Sequence, residues 1–376
     1  MKIALFSSLT MMRSVALGTI VSAAASAVLG TAMLAAPANA FAATDTAPAH
    51  RPVHKKHLKK EAKATTSTAA AEPVKRKRAT YTLRGHGRHG VHRVAFEPRS
   101  PTAGQAFGLQ DTPEGVALRS NVAFVVDQNT SEVLFDKNST SVVPIASITK
   151  LMTAMVVLDS KSPLTDQIEV TDEDRDYEKH TGSRLHVGAV LSREDMLHIA
   201  LMASENRAAA ALSRYFPGGR PAFVAAMNAK AKELGMNDTH FENPTGLTSH
   251  NVSTARDLVK MINAAYQYPL IRKFSTDRSY EVYPGRGVLA YNSTNALVRN
   301  PTWDIGLQKT GFINEAGECL VMQATIEDRP VTMVFLDSFG KLTRTADARR
   351  MRKWMAAQRP SKLPEMAAGG AELAKK

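Results

Sequence analysis

Three short motifs carry side chains of this sequence that could do chemistry together. In chain order they are Ser147 to Lys150 (Ser-Ile-Thr-Lys), Ser204 to Asn206 (Ser-Glu-Asn) and Lys309 to Gly311 (Lys-Thr-Gly). A serine hydroxyl is a weak nucleophile until a base takes its proton, and an uncharged lysine can be that base. The first motif supplies both groups three residues apart, on one face of a helical turn. The sequence therefore predicts acyl transfer through a serine nucleophile.

The first two motifs supply the predicted proton chemistry. We expect Ser147 to be the nucleophile and Lys150 the general base. Burial, the positive end of a helix and a second cation, Lys309, would each lower the pKa of Lys150. We expect Ser204 to relay a proton toward the leaving amine, and Asn206 to orient Lys150 and the substrate amide.

The third motif supplies the predicted substrate contacts. Lys309 and Thr310 could hold a carboxylate, and Gly311 leaves space for a substrate backbone beside a strand. We expect the backbone N–H groups of Ser147 and Phe312 to form the oxyanion hole.

Each motif is weak alone, because short strings recur by chance. The same strings also occur as Ser338 with Lys341, Ser249 with Asn251, and Ser293 with Asn295. These copies follow a strand or lie in polar loops, whereas Ser147 opens a long apolar stretch of helical period. Order and context therefore favour the first set.

Two other patterns imitate ligand sites without the context those sites need. Residues 85–90 match Gly-x-Gly-x-x-Gly, but they lie in a basic segment with no strand before them or amphipathic helix after them. Asp172, Asp174 and Asp176 imitate a calcium loop, but Tyr177 stands where that loop needs glycine. We predict no metal and no cofactor.

The pattern of elements predicts an α+β fold. Two short strands around a turn form a hairpin, a block of helices follows, and strands and a final helix close the chain. The sequence predicts strands at 122–127, 133–136, 305–312, 319–326 and 331–336, and helices from 147, at 192–215 with a break at 204–206, and at 221–234, 254–266 and 343–357. Both chain ends are expected to complete one antiparallel sheet with helices packed on it.

The composition predicts one large domain with tails. Residues 1–40 resemble a secretory signal that ends in Ala-Asn-Ala, with an uncleaved membrane anchor as the alternative. We expect a basic disordered tail at 41–104, the catalytic domain at 105–358 and a disordered C-terminal tail at 359–376. The mature chain has no second apolar run of spanning length and is expected in the periplasm.

Most of the positive charge lies in one segment. Residues 51–93 hold 13 Lys/Arg and 2 Asp/Glu, so they carry +11 of the formal net charge of +13. This segment is expected to act as a solvated tether or to contact polyanions. It has a single aromatic residue, Tyr81, so we predict no nucleic-acid binding. Cys319, the only cysteine, is expected to be a small buried hydrophobe.

The three motifs, in this order, resemble the signature of penicillin-binding proteins and serine β-lactamases. The flanking residues resemble the D-alanyl-D-alanine endopeptidases among the low-molecular-mass penicillin-binding proteins, over about 109–357. The stretches that carry this resemblance are 144–154, 201–209, 250–257 and 309–312.

The resemblance implies a periplasmic enzyme that hydrolyses D-alanyl cross-links in peptidoglycan and is acylated at Ser147 by penicillin and other β-lactams. It also implies a β-lactamase-like fold, with a five-stranded antiparallel sheet between helical layers and a mostly helical subdomain. Carboxypeptidases of this superfamily often carry a second β-rich domain and an amphipathic C-terminal anchor, but only about twenty residues follow Ala357. No such anchor is expected, because residues 361–376 lack an aromatic or amphipathic stripe.

Three alternatives remain open at this stage. A D-Ala-D-Ala carboxypeptidase would share all three motifs. A β-lactamase would need a base for deacylation, for which Glu242 is the candidate, although its surroundings lack the Glu-x-x-Leu-Asn pattern of that group. A non-catalytic wall-binding protein would use the basic segment alone.

Overall fold

The structure, a computed structural model, describes residues 100–358. The predicted signal peptide, the basic segment 51–93 and the predicted C-terminal tail lie outside the described residues. Within residues 100–358, no helix combines the length and the apolar character needed to cross a membrane.

The described part contains strands and helices in the expected alternation. The strands are β1 (Ser120–Asp127), β2 (Val133–Lys137), β3 (Val143–Pro144), β4 (Gln167–Glu169), β5 (Val190–Ser192), β6 (Val252–Ser253), β7 (Ser279–Val282), β8 (Leu289–Asn292), β9 (Asp304–Ile313), β10 (Gly317–Ile326) and β11 (Arg329–Ser338). The helices are α1 (Ala103–Ala106), α2 (Lys150–Asp159), α3 (Arg193–Met202), α4 (Asn206–Arg214), α5 (Gly219–Glu233), α6 (Ala255–Ala265), α7 (Pro269–Thr276) and α8 (Thr343–Gln358).

One five-stranded antiparallel sheet organises the molecule, in the order β2-β1-β11-β10-β9. The early hairpin β1-β2 joins the late strands because β1 pairs with β11, with Phe124 opposite Val334. The expectation that both chain ends complete one sheet is confirmed. The strand β9, which carries the Lys-Thr-Gly motif, lies at an edge of the sheet and so has one long side open to other groups.

Both faces of the sheet are covered, so its strands are apolar on both sides. Because side chains alternate along a strand, Val122 and Phe124 enter one core with the helices α2 to α7. Ala123 and Val125 enter a second core against α8. This arrangement is the predicted sheet between helical layers.

The break between α3 and α4 places the second motif. Ser192 caps α3 by accepting a hydrogen bond from the Asp195 N–H at 3.0 Å. The helix ends at Met202, and Ser204 adopts φ 60°, a left-handed conformation that few non-glycine residues adopt. Glu205 then caps α4 by accepting from the Arg207 N–H.

Several boundaries differ from those predicted. Ser147 does not open the α-helix but lies in a 3-10 turn, Ala146–Thr149, and α2 begins at Lys150. The helix α5 begins at Gly219 instead of residue 221. The short helix α1 crosses the predicted domain start at residue 105, and its Ala103 N–H donates to the Glu315 carbonyl. The helix α7 and the hairpin β7-β8 were not anticipated.

Candidate active site

The backbone at Ser147 is held tightly from one side. Ala146 has φ 47°, and the next residue, Ser147, is only 8% exposed. Gly246 packs directly against this turn with φ +79°, and a Cβ atom at that position would overlap the Ala146 carbonyl oxygen. Only glycine combines that φ with such a close approach. The position of the Ser147 hydroxyl therefore depends on the loop that carries Gly246.

The amine of Lys150 has three acceptors around it. Nζ donates to Ser147 Oγ at 2.8 Å, to Asn206 Oδ1 at 2.7 Å and to the Thr245 carbonyl oxygen at 2.7 Å. A charged amine has three N–H donors and uses all three here. A neutral amine keeps two donors for Asn206 and Thr245, and its lone pair then faces the Ser147 hydroxyl. This geometry suits removal of the serine proton.

Burial changes the charge state of Lys150. The side chain is 1% exposed, and this desolvation lowers its pKa from 10.5 to about 7, while the Glu205 carboxylate acts in the opposite direction. A substantial fraction of the Lys150 amines is therefore uncharged near neutral pH. Burial is the dominant cause among those that the sequence suggested.

The loop that supplies the Thr245 carbonyl is fixed by a buried amide. Asn251 is fully buried, and its Nδ2 donates to Thr149 Oγ1 at 3.0 Å and to the Asn243 carbonyl at 2.8 Å. Thr153 Oγ1 donates to the Pro244 carbonyl at 2.7 Å. These bonds tie the loop to the turn and helix that hold the first motif.

The second and third motifs meet through Ser204 and Lys309. Lys309 Nζ donates to Ser204 Oγ at 2.9 Å and to the Thr310 carbonyl at 2.7 Å. Lys309 is fully buried, and burial, the charge of Lys150 and that of Arg344 lower its pKa well below the ordinary value. The repulsion between the two lysines, which the sequence suggested, opposes simultaneous charging of both.

The Gly311 backbone comes close to the turn that carries the first motif. A Cβ atom on Gly311 would lie 3.0 Å from the Ser147 nitrogen and 3.0 Å from the Ile145 carbonyl oxygen. Glycine is therefore needed for the approach of β9 to this turn. The side chain of Phe312 is 42% exposed beside the approach.

The alternation of backbone groups along β9 indicates which of its N–H and C=O groups point away from β10. The Gln308 N–H donates to Ser275 Oγ at 3.4 Å, outside the ladder with β10. The Thr310 carbonyl accepts from Lys309 Nζ on the same side. The N–H and C=O groups of one residue point to the same side of a strand, and those of the next residue point to the other side. Residues 308, 310 and 312 are two apart, so the backbone N–H and C=O of Phe312 also point away from β10.

The predicted residues thus form two linked groups beside one another. Ser147, Lys150 and Asn206 are joined by hydrogen bonds, and Ser204, Lys309 and Thr310 form the other group. The two groups are neighbours because Asn206 is two residues from Ser204, and because β9 packs against the Ser147 backbone at Gly311.

The Ser338/Lys341 string and the carboxylate of Glu242 do not assemble in this way. Ser338 Oγ donates to Thr343 Oγ1 at 2.6 Å, while Lys341 is exposed. The Glu242 carboxylate, the candidate base of a β-lactamase, is half-exposed and lies 3.0 Å from His250 Nδ1. Neither pair contributes a group to the hydrogen bonds around Lys150.

The calcium-like pattern is occupied by protein groups. Asp174 binds Arg214 and Arg220, and Asp176 accepts backbone N–H groups of its own loop. Among the described residues, no group of three or more His, Cys, Asp or Glu side chains is arranged to hold a metal ion. Cys319 is buried, and burial raises its pKa to about 12.

Several groups at the site had no signal in the sequence motifs. The Thr245 carbonyl is a backbone atom, which residue type does not reveal. Arg344 of α8 donates to the Gly311 carbonyl at 2.6 Å and pairs with Glu318 at 2.6 Å, which supports β9 from behind. Gly246 could have been suspected from the turn pattern around it, but its partner across the fold could not.

Comparisons with known proteins agree with this geometry. Residues 109–340 match the family described as D-alanyl-D-alanine carboxypeptidase. A D-alanyl-D-alanine endopeptidase from Pseudomonas aeruginosa is 51% identical over 252 residues, which cover 66% of this chain and 81% of the relative. An Escherichia coli protein of the same name is 46% identical over 280 residues, which cover 73% and 88%.

The fold is also similar to a solved structure. Penicillin-binding protein D2 from Listeria monocytogenes, in its cefotaxime-bound form, has a TM-score of 0.57 and 26% identity, and the match covers 64% of this chain and 98% of that one. The matched family region spans well over half of the present sequence and contains all three motifs. The chain therefore belongs to the D-alanyl-D-alanine carboxypeptidase family of serine-type peptidases.

Proposed function

We propose that this protein is a penicillin-sensitive serine DD-endopeptidase, which hydrolyses D-alanyl cross-links in peptidoglycan through an acyl-enzyme on Ser147. The observation that carries this proposal is the 2.8 Å contact between Ser147 Oγ and the buried amine of Lys150. The relatives at 46% and 51% identity, both named D-alanyl-D-alanine endopeptidase, favour cross-links over linear peptides.

In the acylation step, neutral Lys150 takes the Ser147 proton as Oγ attacks the D-alanyl carbonyl carbon. The peptide C–N bond then breaks, and Ser204 Oγ donates a proton to the leaving amine while it takes one from Lys309, 2.9 Å away. One of the two lysines is charged and the other is neutral, both before and after this exchange. Their mutual repulsion supports this singly charged state.

The edge strand β9 binds the substrate beside the nucleophile. Thr310, with Lys309 behind it, accommodates a substrate carboxylate, and Gly311 allows the peptide backbone to approach. The N–H groups of Ser147 and Phe312 stabilise the oxyanion of the tetrahedral intermediate. Two observations support this assignment: the backbone N–H of Phe312 points away from β10, as that of Gln308 does, and β9 lies close to Ser147.

Deacylation uses the same base. Before this step Lys150 releases to solvent the proton that it took from Ser147, and Lys309 regains one, so Lys150 is neutral again. A water molecule then attacks the ester carbonyl, Lys150 takes the water proton, and Ser147 Oγ leaves with a proton returned by Lys150. A β-lactam forms a corresponding ester at Ser147 when the C–N bond of its ring breaks, and the likeness to a cefotaxime-bound penicillin-binding protein supports this inhibition. The signal-like residues 1–40 support export to the periplasm, where peptidoglycan lies.

The test is an assay on two defined substrates. Purified protein is incubated with cross-linked muropeptide dimers and with linear pentapeptides, and the products are separated by liquid chromatography with mass detection. Conversion of dimers to monomers, faster than release of terminal D-alanine and absent in Ser147→Ala, is expected. Faster release of terminal D-alanine would instead identify a carboxypeptidase.

A further inference from the structure

The side-chain amide of Asn206 can accept a hydrogen bond from Lys150 only if its oxygen, and not its nitrogen, faces the lysine amine. An asparagine amide has an acceptor oxygen and a donor nitrogen of almost equal size, so packing alone does not set its orientation. Here Oδ1 accepts from Lys150 Nζ at 2.7 Å, and Nδ2 donates to Thr181 Oγ1 at 3.0 Å. The inverted amide would point a donor at the lysine amine.

The hydroxyl of Thr181 has its own direction fixed by Asp176. Thr181 Oγ1 lies 2.7 Å from Asp176 Oδ2. An ionised carboxylate only accepts hydrogen bonds, so the hydroxyl proton must point to Asp176. The oxygen of Thr181 is then available only as an acceptor for Asn206, and this selects the amide orientation that presents Oδ1 to Lys150.

Asp176 is held in its ionised form by the loop around it. Its carboxylate accepts the backbone N–H groups of Glu178 at 2.9 Å, Lys179 at 2.9 Å and Thr181 at 2.8 Å. Burial acts to raise the pKa of Asp176, but the hydrogen bonds from Lys179 and Thr181 outweigh it and leave the pKa below its ordinary value. The carboxylate therefore stays an acceptor at neutral pH.

The loop that holds these groups is tied to the site at two further points. Lys179 Nζ lies 2.7 Å from Glu315 Oε1 in the turn between β9 and β10. Ser183 Oγ donates to Glu205 Oε1 at 2.6 Å, within the second motif. The position of Thr181 relative to Asn206 is thus fixed from both sides.

We propose that Asp176 and Thr181 are positioning residues for acylation: their hydrogen-bond directions orient Asn206 and, through it, the amine of Lys150. This inference rests on the proposed function of Ser147 and Lys150. Asp176 and Thr181 lie 23 residues or more from each of the three motifs, and none of the three includes them.

The orientation of Asn206 has a consequence for pH dependence. An acceptor at 2.7 Å favours the charged form of Lys150, whereas an inverted amide would disfavour it and lower the pKa of Lys150. The charged groups that interact with Lys150 are Glu205, which raises its pKa, and Lys309, whose own pKa is lowered by the charge of Lys150. The elements packed on α2 carry further ion pairs: Arg193 with Asp166, His198 and Lys273 with Asp277, Arg214 with Asp174, Lys230 with Asp159 and Glu233, and Lys260 with Asp257.

Three variants separate hydrogen-bond direction from loop packing. Thr181→Val removes the hydroxyl at nearly constant volume, and Thr181→Ser keeps it. Asp176→Asn gives position 176 an amide that can donate, which releases the Thr181 hydroxyl to donate toward Asn206. Glu178→Gln alters a neighbouring exposed acid of the same loop and is the matched control. Thr181 is exposed, so its replacement leaves the core intact.

The experiment measures the second-order rate of acylation by benzylpenicillin from pH 5 to 9, with thermal unfolding of each variant. We expect Thr181→Val and Asp176→Asn to be acylated about tenfold more slowly than wild type. We also expect the acidic limb of the profile, where the rate falls as the pH decreases, to move to lower pH. Thr181→Ser and Glu178→Gln should match wild type in both rate and limb.

Two results would overturn the positioning role. One is a wild-type rate and limb in Thr181→Val; the other is an equal loss in Thr181→Val and Thr181→Ser with no movement of the limb, which would indicate loop packing alone. Absence of acylation in the wild type would instead contradict the proposed function. The two failures are therefore distinguishable.

Discussion

At the residue scale, the proposed reactivity of Ser147 depends on the directions of the hydrogen bonds that the Lys150 amine makes. Asn206 and Thr245 take two N–H groups of Lys150, at 2.7 Å each, so that the remaining direction faces the serine oxygen. Burial supplies the second requirement, because it lowers the pKa of the amine to about 7. Geometry and charge state therefore act on the same atom.

The depressed pKa of Lys150 predicts how acylation varies with pH. The base works only when uncharged, so the rate should rise as pH increases through about 7 and level off above it. Below that point the rate should fall by about tenfold per pH unit. Stopped-flow acylation by a fluorescent penicillin measures this profile. A rate that stays flat from pH 5 to 9, or an acidic limb centred near 10, would contradict the assignment.

Removing the amine should abolish most of the acylation. Lys150→Met keeps an unbranched apolar side chain in a buried position but removes the base, so the acylation rate should fall by about 10³-fold. The matched control is Lys232→Met, which changes an exposed lysine on α5. Equal acylation rates in the two variants would exclude Lys150 as the base.

At the element scale, the loop that holds Gly246 and the strand β9 approach the turn of Ser147, the proposed nucleophile, from two sides. Gly246 meets the Ala146 carbonyl, and Gly311 meets the Ser147 nitrogen at a Cβ distance of 3.0 Å. Both approaches need the absence of a side chain. The placement of Ser147 is thus a property of the packing between elements, as well as of its own turn.

A pair of glycine variants tests this packing. Gly246 and Gly235 both have positive φ, +79° and +69°, but a Cβ atom on Gly235 meets nothing within 4 Å. Gly235→Ala should therefore cost only backbone strain, about 1–2 kcal/mol in the free energy of unfolding. Gly246→Ala should cost more and also slow acylation, because the turn at Ser147 must move.

The measurement combines urea unfolding with the acylation rate of both variants. Equal stability losses, with acylation preserved in Gly246→Ala, would show that this loop does not position the nucleophile.

The elements of the active site differ in how far the sequence predicts them. The break at Ser204 and the strand of Lys309 follow from local patterns of helix capping and β-forming residues. The hairpin β7-β8 and the loop that bears Asp176 lack such a pattern, because their shapes depend on contacts distant in sequence. Thr181 illustrates the limit: its partner Asn206 is 25 residues away, and only the folded chain brings them together.

At the scale of the whole molecule, the concentrated positive charge and the three motifs lie in different parts of the chain. Residues 51–93 carry +11 of the net charge of +13, so the rest is nearly neutral. A concentrated positive segment attracts polyanions in a salt-dependent way, and a neutral domain does not. We therefore propose that the basic segment retains the enzyme on the wall, while residues 105–358 act as the catalytic domain.

Deletion of residues 51–93 tests this division. Retention on isolated sacculi should fall at moderate salt, whereas the rate of acylation by benzylpenicillin should match that of the full chain. Sedimentation of sacculi with bound protein, over a series of salt concentrations, measures the first quantity. Unchanged retention would remove the tethering role, and a lost acylation rate would contradict the separation of the two parts.

The central claim is that Ser147 forms the covalent bond. Intact mass spectrometry after exposure to benzylpenicillin measures this directly, on the wild type and on Ser147→Ala. The wild type should gain the mass of one penicilloyl group, and the variant should gain none. An adduct that persists in Ser147→Ala, or a wild type that remains unmodified, would contradict the account.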